Sequence, residues 1–405
     1  MPASRSKAAV RRGSGSWSRS RSSRAFWTKA ARHLHAAGRE EHHMKVAGFE
    51  TQVIELSKER VTLGEIPGQV TPWYVTLRLR TDDGIEGIAY AAYVSRAVAP
   101  ALKATLDGLC EQVVGRDPFE TDAIGRDLRM RNGGTAPAGL VTRASSAIDV
   151  ALWDIKGKAL GLPCWKLLGG SEGRANAYGS DHLWRHYNLE ELQQWGPTLV
   201  EAGFKAMKLR CGAESSAADE VERMRVLREA VGEDVDIMID INQGWTVHQA
   251  TTIGRQLSEH RLYWLEDPTQ HQDYAGMARI AAALDTPVCS GEYHYGLVPF
   301  RHMVEARSID IMMVDLFRVG GFTEYVKAAH LAEAFNLPVV THLATELFAH
   351  AAAGTNTLLL EHVPWAFPLF EEVPQVEDGM VVLGDEPGLG LRFDEAYLRA
   401  NAVDA

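Results

Sequence analysis

The chain has 405 residues, of which 46% are hydrophobic, and a net charge of −11 at pH 7. This length and apolar content suffice for more than one domain with a large core, and no apolar run approaches the ~18 residues of a membrane span. Residues 1–43 carry ten basic and two acidic residues, a charge of +8, which leaves −19 on the remainder. An acidic body argues against nucleic acid as the principal partner.

The first 43 residues are rich in Ser and Arg and lack apolar periodicity, which predicts a disordered basic extension. A nucleic-acid-binding arm is one interpretation, and an organelle transit peptide is another, because the first 39 residues contain no acid. A nonfunctional extension or a start codon assigned too early, with Met44 opening the folded chain, are simpler. We favour the simpler pair because compositional motifs have a high false-positive rate.

From Met44 onward the pattern predicts an α+β domain over residues 44–165. A strand at residues 45–56 precedes a hairpin in which WYVTLRLR alternates, DDG turns and IEGIAYAAY returns. Helical periodicity then occupies three stretches, at residues 100–114, 117–128 and 141–160. Gly161 and Pro163 are stop signals for the last helix.

Beyond Gly169 short apolar runs alternate with helical patterns, which predicts an α/β barrel over residues 166–375. Continuous apolar runs are typical of parallel strands buried on both faces. Eight such runs end near Ser180, Arg210, Asn242, Glu266, Glu292, Asp315, His342 and Glu361. Residues 376–405 lie past the barrel, and we expect them to pack back on the first domain.

Three acids end successive runs at intervals of 26 residues: Asp240 in DIMIDIN, Glu266 in LYWLEDP and Glu292 in PVCSGE. One strand–helix unit of a barrel consumes about this length, so the three carboxylates should converge at the carboxyl ends of adjacent strands. A single acid there is usually solvated or caps a helix, but three close carboxylates repel one another and need a cation. Oxygen ligands alone favour Mg²⁺ or Mn²⁺ over zinc.

Lys208 and Arg210 bracket Leu209 at the end of the second run. Period-two geometry puts both cations on one face, and Ala206 shares their parity within an apolar run, which places Lys208 inside the barrel mouth. The alternative is a pair of surface cations. Burial near a metal lowers the pKa of a lysine towards neutrality, whereas arginine stays charged. Asn242, two residues beyond Asp240, should point to the same side and donate to a substrate oxygen, although a turn Asn explains it nearly as well.

Asp315 and His342 end neighbouring strands. A carboxylate there orients an imidazole and stabilises its protonated form, as a general base requires, although either residue alone is commonly structural. Glu361 closes the eighth strand, where it could bond a substrate oxygen or cap the loop before Val363.

Taken together, these residues resemble the mandelate racemase group of the enolase superfamily. The resemblance runs from Met44 to the C-terminus. It is carried by Lys208-x-Arg210, Asp240-x-Asn242, WLEDP, SGE, Asp315, His342, the helix text AIDVALWDIKGKALGLP and the VGG after Asp315.

The resemblance implies a modified TIM barrel of the (β/α)7β type under an N-terminal α+β capping domain. It also implies essential Mg²⁺ (with Mn²⁺ as a substitute), a small carboxylate substrate and abstraction of its α-proton to an enediolate. Asp240, Glu266 and Glu292 would be metal ligands and His342–Asp315 the base dyad. Glu361 would assist the enediolate oxygen, and Ser180 would contact the substrate carboxylate. Relatives tend to be symmetric assemblies, which implies a homo-oligomer.

One position departs from the family pattern. The usual Lys-x-Lys reads Lys208-x-Arg210 here, so the second base needed for racemisation is replaced by a guanidinium. Dehydration of a sugar acid to a 2-keto-3-deoxy acid needs a single base, and we expect this hydro-lyase reaction. Racemisation or epimerisation of a 2-hydroxy acid is the alternative, and a noncatalytic barrel protein a third. Lys in place of Asp315 would have indicated the muconate cycloisomerase and dipeptide epimerase branch.

Two further expectations concern location and specificity. The four cysteines, Cys110, Cys164, Cys211 and Cys289, lie far apart, which is typical of buried thiols in a reducing compartment and predicts a cytoplasmic protein without membrane association. Substrate identity should depend on residues 59–70, on residues 131–139 and on His294 beside the metal ligands.

Overall fold

The computed structural model describes residues 44–56 and 73–403. The expected disordered extension at residues 1–43 and the specificity loop at residues 59–70 lie outside the described residues. Within the described part, no helix has the length and hydropathy of a bilayer span. The four cysteines are free and buried, as predicted.

The first domain is an antiparallel sheet covered by helices. Its strands are β1 (Val46–Glu55), β2 (Trp73–Thr81) and β3 (Glu86–Val94). β2 and β3 form the predicted hairpin, with Leu77 opposite Ala89. The helices are α1 (Ala99–Glu111), α2 (Thr121–Arg131), α3 (Gly139–Leu160) and the short α4 (Cys164–Leu167). Gly161 ends α3 in the left-handed conformation, at φ +65°, as its stop signal predicted.

The second domain is a closed parallel barrel. Its strands are β4 (Arg174–Gly179), β5 (Ala206–Arg210), β6 (Asp236–Asp240), β7 (Leu262–Glu266), β8 (Val288–Ser290), β9 (Ile311–Asp315), β10 (Val339–His342) and β11 (Thr357–His362). β11 pairs in parallel with β4, with Glu361 beside Tyr178, which closes the barrel. The eight predicted runs are therefore the eight strands, in the predicted order.

Helices connect consecutive barrel strands. They are α5 (Leu189–Glu201), α6 (Ala217–Val231), α7 (Val247–Ser258), α8 (Tyr274–Ala281), α9 (Val298–Ala306), α10 (Leu316–Val319), α11 (Phe322–Ala334) and α12 (Thr345–Ala353). α10 and α11 share the connection between β9 and β10. In the described chain, β11 is followed by a 3₁₀ turn at Pro364–Leu369 and not by an α-helix. The (β/α)7β architecture is confirmed.

The barrel interior is a small core separate from the core between strands and helices. One inward side chain comes from most strands: Tyr178, Ala206, Met238, Trp264, Cys289, Ile311, Met313 and Val340. Because side chains alternate along a strand, the residue two positions further on also points inward, at the carboxyl end. The interior core therefore supports a ring of polar side chains at the barrel mouth.

The chain end contacts both domains. β12 (Gln375–Glu377) and β13 (Met380–Val382) form a hairpin, and β13 pairs antiparallel with barrel strand β4. α13 (Glu395–Asn401) and β14 (Ala402–Val403) follow, and β14 pairs with β1 of the first sheet. Residues 402–403 thus extend the first sheet, whereas residues 380–382 extend the barrel.

Candidate metal and acid–base site

Three carboxylates meet at the barrel mouth. Asp240, Glu266 and Glu292 each offer an oxygen, and the three oxygens lie within 4.8 Å of one another. All three side chains are buried, and Asp240 Oδ2 and Glu292 Oε2 have no hydrogen-bond partner among the described residues. Buried carboxylates this close together repel one another, and a bound cation would offset that repulsion. The oxygen-only set fits Mg²⁺ or Mn²⁺.

Two of these carboxylates reach the mouth by strand alternation, and the third by a backbone turn. Asp240 and Glu266 lie two residues beyond the inward Met238 and Trp264. β8 ends at Ser290, so alternation alone would turn Glu292 away from the interior. Gly291 takes φ +140°, and a Cβ there would lie 2.3 Å from Met313 O, so glycine is needed to turn the chain at this point.

The electrostatics of the three acids agree with a cation site. Burial raises the pKa of Glu266 well above its ordinary value; Lys208 opposes this, while Asp240 and Glu292 add to it. Burial also acts on Asp240, but Arg210 and Lys208 outweigh it and hold its pKa below the ordinary value. The protein groups alone therefore stabilise the charge on Asp240 but not the charge on Glu266.

Lys208 lies inside the barrel, as its parity with Ala206 predicted. Its Nζ is 2.7 Å from Glu266 Oε1, 2.7 Å from Glu361 Oε1 and 3.8 Å from Asp240 Oδ2. Burial lowers the pKa of Lys208, but the carboxylates, Glu266 and Glu361 foremost, outweigh it and raise it well above the ordinary value. In the absence of a bound cation, Lys208 is therefore an ammonium ion paired with Glu266 and Glu361. The expectation of a lowered pKa beside a bound metal stays a prediction.

Arg210 extends the same positive side of the mouth. Its Nη1 lies 3.0 Å from Asp240 Oδ2, and its guanidinium stacks 4.9 Å from the ring centre of Trp184. Burial lowers the pKa of Arg210, but the charges of Asp240 and Glu292 outweigh burial and hold the pKa above its ordinary value. This group stays charged and is not a base.

Asp315 and His342 face them from β9 and β10, where they are in register. His342 Nδ1 is 2.7 Å from Asp315 Oδ2, so the ring proton belongs on Nδ1 and Nε2 carries the lone pair. Nε2 lies 3.1 Å from Glu292 Oε2, although this contact lacks hydrogen-bond geometry. His342 Nε2 therefore faces Glu292, one of the three carboxylates.

Arg318, which the sequence reasoning missed, keeps Asp315 ionised. Its backbone N–H donates to Asp315 Oδ1 at 2.9 Å, and its Nη1 lies 3.4 Å from Oδ2. Burial raises the pKa of Asp315, but Arg318 and His342 outweigh it and hold it well below the ordinary range. The signal was present, since an arginine three residues after an acid that caps a helix faces it.

Glu361 and Ser180 contact each other between the pair Lys208 and Arg210 and the pair Asp315 and His342. Glu361 Oε1 accepts from Ser180 Oγ at 2.7 Å, and Oε2 accepts from the N–H of Leu343 at 2.6 Å. Burial opposes ionisation, but Lys208 and His342 lower the pKa of Glu361 to about 2. In the structure Glu361 is a carboxylate whose oxygens already have donors, and Ser180 is one of them.

Asn242 differs from its prediction. β6 ends at Asp240, and Asn242 has a left-handed backbone at φ +52°, so strand alternation does not reach it. Its backbone N–H donates to Asp240 Oδ1 at 2.7 Å, and its side chain contacts the hydroxyl of Tyr293. The expectation that it shares a strand face with Asp240 is wrong, because the turn geometry prevails. Its contact with substrate stays a prediction.

The two remaining specificity elements lie near the third ligand. His294 is buried, with its ring 5.3 Å from that of His271. Residues 131–139 of the first domain reach the loop after Glu292, where a Cβ on Gly296 would lie 3.0 Å from Pro137 Cγ. His294 therefore belongs to the loop that carries Glu292, and residues 131–139 pack against that loop.

Sequence and structure comparisons agree with this geometry. Residues 66–169 match the mandelate racemase / muconate lactonizing enzyme N-terminal domain, and residues 191–397 match the enolase C-terminal domain-like family. The chain belongs to this family. The L-talarate/galactarate dehydratase of Salmonella typhimurium is 31% identical over 326 residues, covering 80% of this chain and 81% of that protein.

Other family members differ in reaction. The arabinonate dehydratase of Saccharolobus solfataricus is 31% identical over 333 residues, 78% of this chain and 87% of that protein. A racemase from Streptomyces coelicolor A3(2), solved with bound magnesium, has a TM-score of 0.82 and 29% identity, covering 88% of this chain and all of that chain. The family thus includes both reactions that the sequence left open.

Proposed function

We propose that this chain is a Mg²⁺-dependent hydro-lyase that dehydrates a sugar acid to a 2-keto-3-deoxy acid. The observation that carries the proposal is the asymmetry of the mouth: a His–Asp dyad lies on one side, and opposite it are Lys208, paired with Glu266 and Glu361, and Arg210, whose guanidinium is not a base. Dehydration needs one group that takes and returns a proton. Racemisation needs such a group on each face of the α-carbon.

The metal would bind Asp240, Glu266 and Glu292. Mg²⁺ bound there would supply positive charge to the carboxylate of the substrate and so make its α-hydrogen more acidic. Lys208 would hold an oxygen of the same carboxylate, because its ammonium group lies beside two of the ligands at distances of 2.7 and 3.8 Å. Ser180, Asn242 and Glu361 complete the binding set in this proposal.

In the proposed reaction His342 Nε2 removes the α-proton, and the electrons of the C–H bond move into the carboxyl group to form an enediolate. Asp315, hydrogen-bonded to Nδ1, stabilises the imidazolium that results. The C3–O bond then breaks as the electrons return to form a C2–C3 double bond. The leaving hydroxyl takes the proton from His342 and departs as water, and the enol product gains a proton at C3 to become the keto acid.

The test is product identity. The purified chain with Mg²⁺ is incubated in deuterated water with a panel of aldonates and aldarates, and keto-acid formation and substrate labelling are measured by NMR. A deuterated 2-keto-3-deoxy acid from at least one substrate is the expected result. Recovery of substrate with inverted configuration and an α-deuterium would instead identify a racemase. A panel without product or label, together with no effect of Mg²⁺ on the thermal midpoint, would favour a noncatalytic barrel.

Cellular location and assembly complete the proposal. The free, buried cysteines suit a reducing cytoplasm, and the assemblies expected from the family resemblance suit a homo-oligomer. Sedimentation of the full chain measures the second point directly.

A further inference from the structure

The first domain contacts the segment that directly follows Asp315. Ser146 of α3 is buried, and its hydroxyl donates to Leu316 O at 2.5 Å. Leu316 is the residue after Asp315, and its carbonyl also accepts from Gly321 N at 3.0 Å, beyond the end of α10. The bond from Ser146 therefore joins the turn after β9 to a helix of the other domain.

A second contact reaches the segment that follows His342. Tyr90 of β3 is buried and its hydroxyl donates to Glu346 Oε1 at 2.5 Å, whereas Glu346 Oε2 has no hydrogen-bond partner among the described residues. Glu346 lies in the first turn of α12, four residues after His342. The ring centre of Tyr90 also lies 5.3 Å from that of Phe317, two residues after Asp315. One tyrosine of the first domain thus contacts both segments that continue from the dyad.

The placement of the dyad depends on these two segments, because neither strand extends beyond its dyad residue. β9 ends at Asp315 and β10 at His342. Asp315 accepts from Arg318 N of α10 at 2.9 Å, so a shift of α10 would move the carboxylate that holds His342 Nδ1. Leu343 and Ala344 connect His342 to α12 with positive φ values of +58° and +50°. Such backbone persists only where the surrounding structure holds it.

We propose that Tyr90 and Ser146 of the first domain are positioning residues for the base dyad. The inference rests on the proposed function, because it takes His342 as the base. Neither residue touches the substrate; they act through Glu346 and Leu316, which fix the two segments beyond the dyad. Proton transfer depends on such placement, since a displacement on the order of 1 Å can cost about a hundredfold in rate.

A purely structural role makes a different prediction. The two hydroxyl groups could serve only to join the domains, and their loss would then lower the thermal midpoint while the folded enzyme kept its kcat. Two matched controls separate these cases. Tyr325 is equally buried, and its hydroxyl bonds to Thr357 Oγ1 at 2.7 Å, at the amino end of β11. Ser145 lies beside Ser146 on α3, and its hydroxyl donates to Thr142 O at 3.0 Å within that helix.

The experiment compares Y90F and S146A, which each remove one oxygen atom, with the controls Y325F and S145A. The full chain is used with Mg²⁺ present. kcat and KM are measured for an acid that the unaltered chain turns over, at a temperature well below every thermal midpoint. The rise in thermal midpoint on adding Mg²⁺ is measured for each variant, so that a loss of metal binding is recognised.

Two further measurements make the test independent of turnover and of the folding of any one variant. The Nδ1 proton of His342 is observed by NMR, and its signal is assigned by its loss in H342N. Glu346→Gln keeps an acceptor for the Tyr90 hydroxyl, whereas Glu346→Leu removes it. This pair tests the same contact if Y90F does not fold.

We expect kcat to fall about tenfold or more in Y90F and S146A, with KM and the effect of Mg²⁺ on the midpoint nearly unchanged. Y325F and S145A should keep their kcat, and Glu346→Gln should keep more of it than Glu346→Leu. The inference is overturned if neither Y90F nor S146A loses more kcat than its control, or if the two Glu346 variants lose it equally.

The NMR signal separates this inference from the proposed function. If no acid is dehydrated but Y90F and S146A alter the Nδ1 signal of His342 and the controls do not, the proposed function fails and this inference stands. If no acid is dehydrated and the signal is the same in all four variants, both fail.

Discussion

The two sides of the barrel mouth use charge in different ways. On the β9–β10 side, Asp315, whose charge Arg318 sustains, holds His342 Nδ1 and so orients Nε2 towards Glu292. On the β4–β6 side, Lys208 and Arg210 lie among carboxylates that keep them charged. The lesson is that burial alone does not indicate which group is the base. The base is identified by the chemistry of its side chain and by the carboxylate that orients it, as Asp315 orients His342.

The largest expected effect comes from removing the one group that exchanges protons. His342→Asn keeps a hydrogen-bonding side chain towards Asp315 but removes the base, and we expect kcat to fall by about a thousandfold or more. The variant should still bind Mg²⁺, because the three ligands are unchanged. The rise in thermal midpoint on adding Mg²⁺ measures that binding. His248→Asn, on the exposed surface of α7, is the matched control. A His342→Asn enzyme with near-normal kcat would exclude the proposed base.

A smaller effect should follow from replacing Arg210 with lysine, which would give each side of the mouth a group that can donate a proton. Arg210→Lys places an ammonium that can donate a proton opposite His342, so the enediolate could be reprotonated on the other face. We expect dehydration to slow by about tenfold, because the lysine lacks the guanidinium fork. In deuterated water, labelled substrate of inverted configuration should appear, and NMR measures it.

The double variant R210K/H342N separates the roles in that exchange. If His342 removes the proton and the introduced lysine returns one, the double variant should produce no inverted substrate. Inversion that persists without His342 would show that the β4–β6 side can act as a base. Inversion by the unaltered chain would contradict the asymmetry itself.

The sequence was informative where chemistry follows strand alternation. The order of the eight strands and the positions of Lys208, Asp240 and Glu266 could be predicted because each lies in step with an inward core residue. The His342–Asp315 contact could be predicted because equivalent ends of neighbouring parallel strands lie side by side.

Elsewhere the deciding interaction is remote in sequence or depends on a backbone turn. The positive φ of Gly291 turns the chain so that Glu292 lies in the site. The left-handed backbone of Asn242 places this residue outside the regular strand alternation. The charge state of Lys208 depends on Glu266 and Glu361, which are 58 and 153 positions away in the sequence.

The smallest expected effect concerns Asp149, which contacts the start of α11, the helix between β9 and β10. Asp149 of α3 is buried, and its carboxylate accepts from Thr323 N at 3.0 Å and from Thr323 Oγ1 at 2.5 Å, at the start of α11. Burial raises its pKa to about 7; the Thr323 bonds oppose this and Glu324 adds to it. The unfolded chain ionises this group near pH ~4. Between about pH 4 and pH 7 the folded state therefore binds more protons, so the Asp149 contribution to stability is lost as pH rises.

Asp149→Asn should flatten that dependence. We expect the thermal midpoint of the unaltered chain, relative to the variant, to fall by a few degrees between pH 4 and pH 7.5. Asp122→Asn is the control, because Asp122 is exposed, pairs with Lys327 of α11 and has a lowered pKa, which gives a small effect of opposite sign. Parallel pH profiles for the unaltered chain and the Asp149 variant would mean that this carboxyl is ionised in the fold. The contact between Asp149 and Thr323 would then carry a fixed negative charge over this pH range.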